Sequence, residues 1–321
     1  MKNYFFNSCL LLLITFLFYS CSDSSGPTGN PDDQYRDEDY VYNPDDYYYT
    51  AEPLDWENYY YAEFGLHLPD DIQNMKGILV LVPGHNGNGL YLKDDPGWIS
   101  FAEENNLALV GCYFNGNHYD KRYYLAGGGA GYALVTALDY FATETGLPEL
   151  NTLPIAIRGY SDGAIFAYTF TCNIPQRIAC FVSIKGGYFP FMADEVAVKT
   201  PGMFIYGELD LDERNLESKS VFFNYRKEND AQWILIEQKN IGHEPGNEND
   251  IVRPFLAKVC SLRINKNSDQ LITLENNSGY LGSQSFEEYW SYSDYPNDPD
   301  FASWLPDEEF AIIWKNYVRG F

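Results

Sequence analysis

Gly159-Tyr160-Ser161-Asp162-Gly163 follows the apolar run PIAIRGY and opens an amphipathic stretch beginning at Asp162. A serine between two glycines at a strand-to-helix junction sits on a tight turn that presents its hydroxyl, the setting in which this pattern means nucleophilic attack on a carbonyl. Elsewhere the same five residues would be an ordinary turn. A nucleophilic serine also needs a base to take its proton and an acid to orient that base. The chain has only four histidines, His67, His85, His118 and His243. His243 is the best placed, in the glycine-flanked segment KNIGHEPG directly after the apolar run WILIEQ. The acid is expected at the end of the preceding apolar run, where GMFIYGELDLDE places Asp210 three residues past Gly207, with Asp212 in reserve. From Ser161 to Asp210 is 49 residues and from Asp210 to His243 is 33, room for one strand and one helix each time.

Acyl transfer also requires backbone N–H groups aimed at the oxygen that becomes negative. The residue after the serine, Asp162, supplies one. The loop VPGHNGNG after GILVLV supplies the other: Gly84 lets the backbone turn inward, His85 N–H is the chosen donor, and Asn86 is close behind. No H-x-x-H pattern or carboxylate-rich ligand set surrounds His85 in the sequence, so neither a metal nor another cofactor is expected.

The elements that must position these groups alternate. Continuous apolar runs at 77–84, 107–114, 154–160, 179–187, 202–210 and 233–238 read as buried strands. Stretches with apolar residues at three- and four-residue intervals, at 97–106, 131–145, 162–171, 215–229 and 250–262, read as helices. Alternation of this kind predicts an α/β fold with a largely parallel sheet covered on both faces, with an antiparallel edge strand or two from Ala51 to Leu68. After Leu262 the periodicity weakens into an irregular appendage that closes on a helix, with Pro306 in its first turn and an apolar stripe of Phe310, Ile313, Trp314 and Tyr317.

The start of the chain reads as an export signal: Lys2, then the apolar stretch Cys9 to Phe18, then Leu17-Phe18-Tyr19-Ser20-Cys21. The last five residues resemble the lipobox of bacterial lipoproteins, which implies cleavage before Cys21 and a lipid on its thiol. The domain expectation is therefore a signal peptide at 1–20, a tether at 21–50, a catalytic domain at 51–262 and a packed appendage at 263–321. An exported bacterial lipoprotein is expected, anchored to a membrane through Cys21, at the outer membrane or cell surface. Between Pro31 and Asp55 nine carboxylates face one Arg36 among many tyrosines, which reads as a solvated spacer, with a sugar- or calcium-binding strip as the alternative. A net charge of −25 makes nucleic acid an unfavourable partner. Cys112, Cys172, Cys180 and Cys260 lack metal-finger spacing, and their pairing stays open between disulfides and buried thiols.

With these residues in hand, the chain resembles the α/β-hydrolases. It is most similar to the extracellular esterase branch of feruloyl and acetylxylan esterases, polyhydroxybutyrate depolymerases and dienelactone-hydrolase-like proteins. The resemblance spans roughly 76–262 and rests on VPGHNGNG, GYSDG, YGELD and IGHE. It implies Ser161 as nucleophile, Asp210 as acid, His243 as base and the Asp162 N–H as an oxyanion donor. Pro83-Gly84 stands where His-Gly is more usual, which leaves the second donor open. The expected activity is hydrolysis of a small ester or an acylated polysaccharide through an acyl-enzyme. A serine peptidase of the same fold and a binding lipoprotein with a vestigial site are the alternatives.

Overall fold

The computed structural model describes residues 40–43, 46–265 and 270–320. The export signal and Cys21 lie outside them.

An eight-stranded sheet runs through the domain in the order β1-β2-β4-β3-β5-β6-β7-β8. Its strands are β1 (Tyr47–Ala51), β2 (Tyr61–His67), β3 (Gly77–Val82), β4 (Leu107–Asn115), β5 (Ile155–Tyr160), β6 (Ile178–Ile184), β7 (Gly202–Gly207) and β8 (Trp233–Gln238). β3 to β8 pair in parallel, whereas β1 pairs antiparallel with β2 and β2 antiparallel with β4. The helices are α1 (Pro96–Asn105), α2 (Ala130–Thr145), α3 (Asp162–Asn173), α4 (Asp212–Asn229) and α5 (Asn249–Arg263), with α6 (Glu308–Arg319) at the end.

The parallel strands are apolar throughout because both of their faces are covered. Ile78, Val80 and Val82 of β3 pack with α2 and α3, while Leu79 and Leu81 turn to the opposite core of α1, α5 and α6. Much of the aromatic content goes into the first core, where the Phe181, Phe204 and Trp233 rings meet with centroids 5.3–5.8 Å apart. Capping follows local chemistry. Asp95 accepts from Trp98 N–H at 2.9 Å, with Pro96 in the first turn of α1, and α2 closes on Gly146 in the left-handed region.

Two expectations change at the ends. The sheet begins at Tyr47, so the ordered domain starts before Ala51 and the tether does not extend to residue 50. Tyr47 to Ala51 pair with Leu66 to Ala62, and Tyr42 donates to Glu63 at 2.8 Å. The acidic composition hid this because its charge is locally answered: fully buried Lys93 donates to Asp46 at 2.6 Å and Asp94 at 2.7 Å. In α6, Pro306 lies ahead of the helix; Asp307 is the cap and accepts from Phe310 N–H at 2.9 Å. The sequence left cysteine pairing open, and Cys112, Cys172, Cys180 and Cys260 are all free thiols, with Cys112, Cys180 and Cys260 buried.

The appendage contains a small antiparallel sheet, ordered β10-β9-β11, of β9 (Tyr280–Ser283), β10 (Glu288–Ser291) and β11 (Ser303–Leu305). It covers the open edge of β8. Gln284 accepts from Glu237 N–H at 3.0 Å and donates to Glu237 C=O at 2.9 Å, and Ser303 accepts from Leu235 N–H at 3.0 Å. Side chains thus occupy backbone groups that would otherwise offer an edge to another strand. Phe310 and Trp314 of α6 are fully buried in the second core, as the apolar stripe predicts.

Candidate active site

Ser161 has φ 53° and ψ −118°, a conformation disfavoured for a side-chain-bearing residue, between the end of β5 and the start of α3. The flanking glycines explain how the turn closes. A Cβ on Gly159 would sit 1.8 Å from the Gly163 carbonyl oxygen, and one on Gly163 would sit 2.3 Å from that of Pro83. The turn is therefore pressed against the end of β3, and the Ser161 N–H is held by Ile184 C=O at 2.8 Å.

The loops after β7 and β8 are pressed together in the same way, since a Cβ on Gly207 would lie 2.1 Å from the Gly242 carbonyl. This contact brings Asp210 to His243. Asp210 Oδ2 and His243 Nδ1 are 2.7 Å apart, and His243 Nε2 lies 3.0 Å from Ser161 Oγ. The hydroxyl, the imidazole and the carboxylate form one continuous hydrogen-bonded chain, the connectivity that removal of the serine proton requires. Asp212, the reserve acid, opens α4 instead.

Burial works against the charge of Asp210, yet hydrogen bonding and attraction from His243, the Leu211 N–H and nearby Arg214 hold its carboxyl below the usual range. Its second oxygen, Oδ1, accepts from Leu211 N–H at 2.8 Å and Arg214 at 2.9 Å. Two further side chains fix the His243 loop: Tyr160 donates its hydroxyl to the His243 carbonyl, and Lys185 donates to the Glu244 carbonyl. Tyr160 is buried in this role, and Trp98 is buried beneath Arg253.

The fold is that of an α/β-hydrolase: a mostly parallel eight-stranded sheet, with Ser161 on a tight turn after β5 and Asp210 and His243 in the loops after β7 and β8. Within this fold, Gly84 lies against Ser161, where a Cβ on Gly84 would sit 3.5 Å from Ser161 Cβ. His85 and Asp162 therefore flank the serine on two sides. Their side chains also meet, a contact that neither residue's place in the sequence predicts: His85 Nδ1 and Asp162 Oδ2 are 2.6 Å apart. His118, given no role from the sequence, completes the group with Nε2 at 2.9 Å from the same oxygen. Hydrogen bonding to Asp162 raises the pKa of His118. Burial opposes ionisation of Asp162, but the two imidazoles hold its carboxyl below the usual range. No sequence spacing announces His118, because it reaches Asp162 from the loop after β4.

No protein-family model and no curated protein matches the chain. Among solved structures the chain is similar to poly(aspartic acid) hydrolase-1 from Sphingomonas sp. KT-1, at 17% identity and a TM-score of 0.49 over 67% of this chain and 99% of the other. It is also similar to LpqC, a poly(3-hydroxybutyrate) depolymerase from Bordetella parapertussis, at 13% identity and a TM-score of 0.49 over 68% and 90%. A third likeness is to an acetyl xylan esterase from Aspergillus awamori, at 12% identity and a TM-score of 0.44 over 64% and 98%. The chemistry of the site stands on its own geometry.

Proposed function

We propose that the protein is a serine ester hydrolase working through an acyl-enzyme. The single observation that carries the reading is the Ser161–His243–Asp210 chain, with links of 3.0 Å and 2.7 Å, on a turn that holds Ser161 in a disfavoured backbone conformation. Ser161 Oγ attacks the ester carbonyl as His243 Nε2 takes its proton. The tetrahedral oxygen is received by the N–H groups of Asp162, which has no intrahelical acceptor at the first position of α3, and of His85. His243 then returns the proton to the leaving alcohol. Water attacks the acyl-enzyme by the same route, and the carboxylic acid leaves.

An acylated carbohydrate or another small neutral ester is the substrate class that suits the chain. Its net charge of −25 disfavours polyanions in solution, and a cavity of about 380 Å³ lined in part by Leu125, Tyr188, Met192 and Arg122 opens beside the loop that carries His118. The start of the chain supports an exported protein held at a membrane by a lipid on Cys21. The test is p-nitrophenol release from acetate, butyrate and octanoate esters by the purified protein beside Ser161→Ala. A rate well above the variant's, with fluorophosphonate labelling of the wild type alone, supports the reading; equal rates and no labelling would end it.

A further inference from the structure

Asp162 poses an electrostatic problem. Its backbone N–H is in place to receive the oxyanion, but its own carboxylate sits one residue from the nucleophile, with a side chain only 12% exposed. An ionised carboxylate so close to a developing negative oxygen opposes the step that the N–H assists. The site answers this charge with two imidazoles on one oxygen, His85 Nδ1 at 2.6 Å and His118 Nε2 at 2.9 Å. The two rings lean on each other with centroids 4.4 Å apart.

The proton on His85 can be placed. Asn86 Oδ1 accepts from Gly116 N–H at 2.8 Å, which fixes the amide orientation, so Asn86 Nδ2 is the atom 3.2 Å from His85 Nε2 and donates to it. Nε2 is then an acceptor, and Nδ1 carries the hydrogen given to Asp162. The same inventory argues against a cation here. His85, His118 and Asp162 place their donor atoms within 4.8 Å of one another, as a metal ligand set would. A cation on Nδ1 of a neutral imidazole would demand a hydrogen on Nε2, facing the Asn86 amide hydrogens.

The loop that carries His85 is fixed independently of Asp162. Asn86 takes a left-handed backbone with φ 53°, its N–H is given to the Tyr123 hydroxyl at 3.3 Å, and Gly87 N–H is given to Gly84 C=O at 3.0 Å. The 2.6 Å bond therefore joins two preformed pieces: the turn after β3 and the first residue of α3.

We infer that the His85 and Asp162 side chains form a clamp that holds the two oxyanion-hole N–H groups of these same residues in register, while His118 compensates the charge of Asp162. All three side chains are positioning groups; the backbone N–H groups are the ones that touch the reacting oxygen. The inference rests on the ester-hydrolase reading above.

The test is kcat and KM on p-nitrophenyl acetate for the wild type, Ser161→Ala, His85→Ala, Asp162→Ala, the His85→Ala/Asp162→Ala double variant, His118→Ala and His85→Asn. Each single alanine change at His85 or Asp162 is expected to lower kcat by about 10- to 100-fold with KM little changed, short of the roughly 10²–10³-fold cost of losing an oxyanion donor outright. The double variant is expected to be no slower than the worse single one, since both remove the same bond. His85→Asn, whose Nδ2 takes the place of the ring Nδ1, is expected to recover most of the rate, and His118→Ala to fall between wild type and His85→Ala. Where Asp162→Ala does not fold, Asp162→Asn keeps the shape and cannot accept from both imidazoles at one uncharged oxygen equally well, so it too is expected to be slow. Wild-type kcat in the alanine variants, losses that multiply in the double variant, or a His85→Asn as slow as His85→Ala would overturn the clamp. Loss of wild-type activity in EDTA with recovery on Zn²⁺ would replace it with a metal site. A wild type no faster than Ser161→Ala removes the ester-hydrolase reading, and the clamp's purpose falls with it; a fast wild type with unchanged clamp variants removes only the clamp.

Discussion

Arg214 donates to Asp210 Oδ1 at 2.9 Å, on the carboxylate oxygen opposite the one that meets His243. The two are four residues apart across the first turn of α4, so the helix aims the guanidinium back at the loop it follows. Arg214→Met should leave Ser161 and His243 chemically intact and loosen the acid that orients them. The expected result is a fall in kcat on the order of 10-fold, below the ~10²-fold that a 1 Å misplacement costs, with KM nearly constant. Steady-state kinetics beside Asp210→Ala checks it, and Arg214→Met should remain much the faster of the two.

Asp210 also links the site to acid stability. Its folded pKa is depressed by partners that outweigh burial, so folding favours its ionised form. The sign follows: the contribution is fully present above the unfolded value of about 3.9 and is lost as pH falls through the lower folded value. Asn at this position does not titrate. The gap in unfolding free energy between wild type and Asp210→Asn should therefore hold down to about pH 4 and shrink as the pH falls further. Denaturant melts above and below that pH measure it, and a gap that widens toward acid would contradict the assignment.

Gly163 is the sterically tightest point of the nucleophile turn that faces another strand, because a Cβ there would meet the carbonyl oxygens of Pro83 at 2.3 Å and Val82 at 2.4 Å. Neither atom belongs to a flexible side chain, so the turn and the end of β3 would have to part. Gly163→Ala is expected to cost about 1–3 kcal/mol of stability and to slow the reaction by displacing both Ser161 and the Gly84 loop. Ser161→Ala, which removes only the hydroxyl, should abolish activity at nearly unchanged Tm. Thermal melts of the two variants side by side separate the cases.

The positions of Ser161, Asp210 and His243 are legible because each follows a buried apolar strand, and strand ends are what a one-dimensional pattern reports well. The residues that tune them are not. Arg214 and Tyr160 act through backbone and carboxylate contacts made only after β5, β7 and β8 are laid side by side. His118 joins Asp162 across 44 residues from an irregular loop, and no periodicity connects the two. At the other extreme, Tyr47 to Thr50 read as spacer and belong to a strand, because an edge strand needs few apolar residues and the acidic surroundings dominate the composition. Lys93, buried and paired with Asp46, ties that stretch to the domain alongside its pairing with β2.

Gln284 decides how the sheet ends. It accepts from Glu237 N–H and donates to Glu237 C=O, as Ser303 does at Leu235, and it occupies the open edge of β8 as a partner strand would. Replacing it with alanine leaves two backbone groups beneath the appendage to be satisfied by water alone. The expected cost is about 1–3 kcal/mol, and Ser303→Ala, which removes a hydroxyl that accepts from Leu235 N–H at 3.0 Å and donates to Leu235 C=O at 3.3 Å, should cost a similar amount. Removing everything after Arg263 is a different perturbation. It exposes the β8 edge together with the apolar surface that Phe310 and Trp314 cover, and an uncovered, apolar edge strand pairs with its copies. The truncated chain should therefore aggregate, while Gln284→Ala keeps the oligomeric state of the intact protein with a lowered Tm. Light scattering and denaturant melts on the two proteins check this, and a truncation that stays soluble in the oligomeric state of the intact protein would show that the appendage serves something other than the sheet edge.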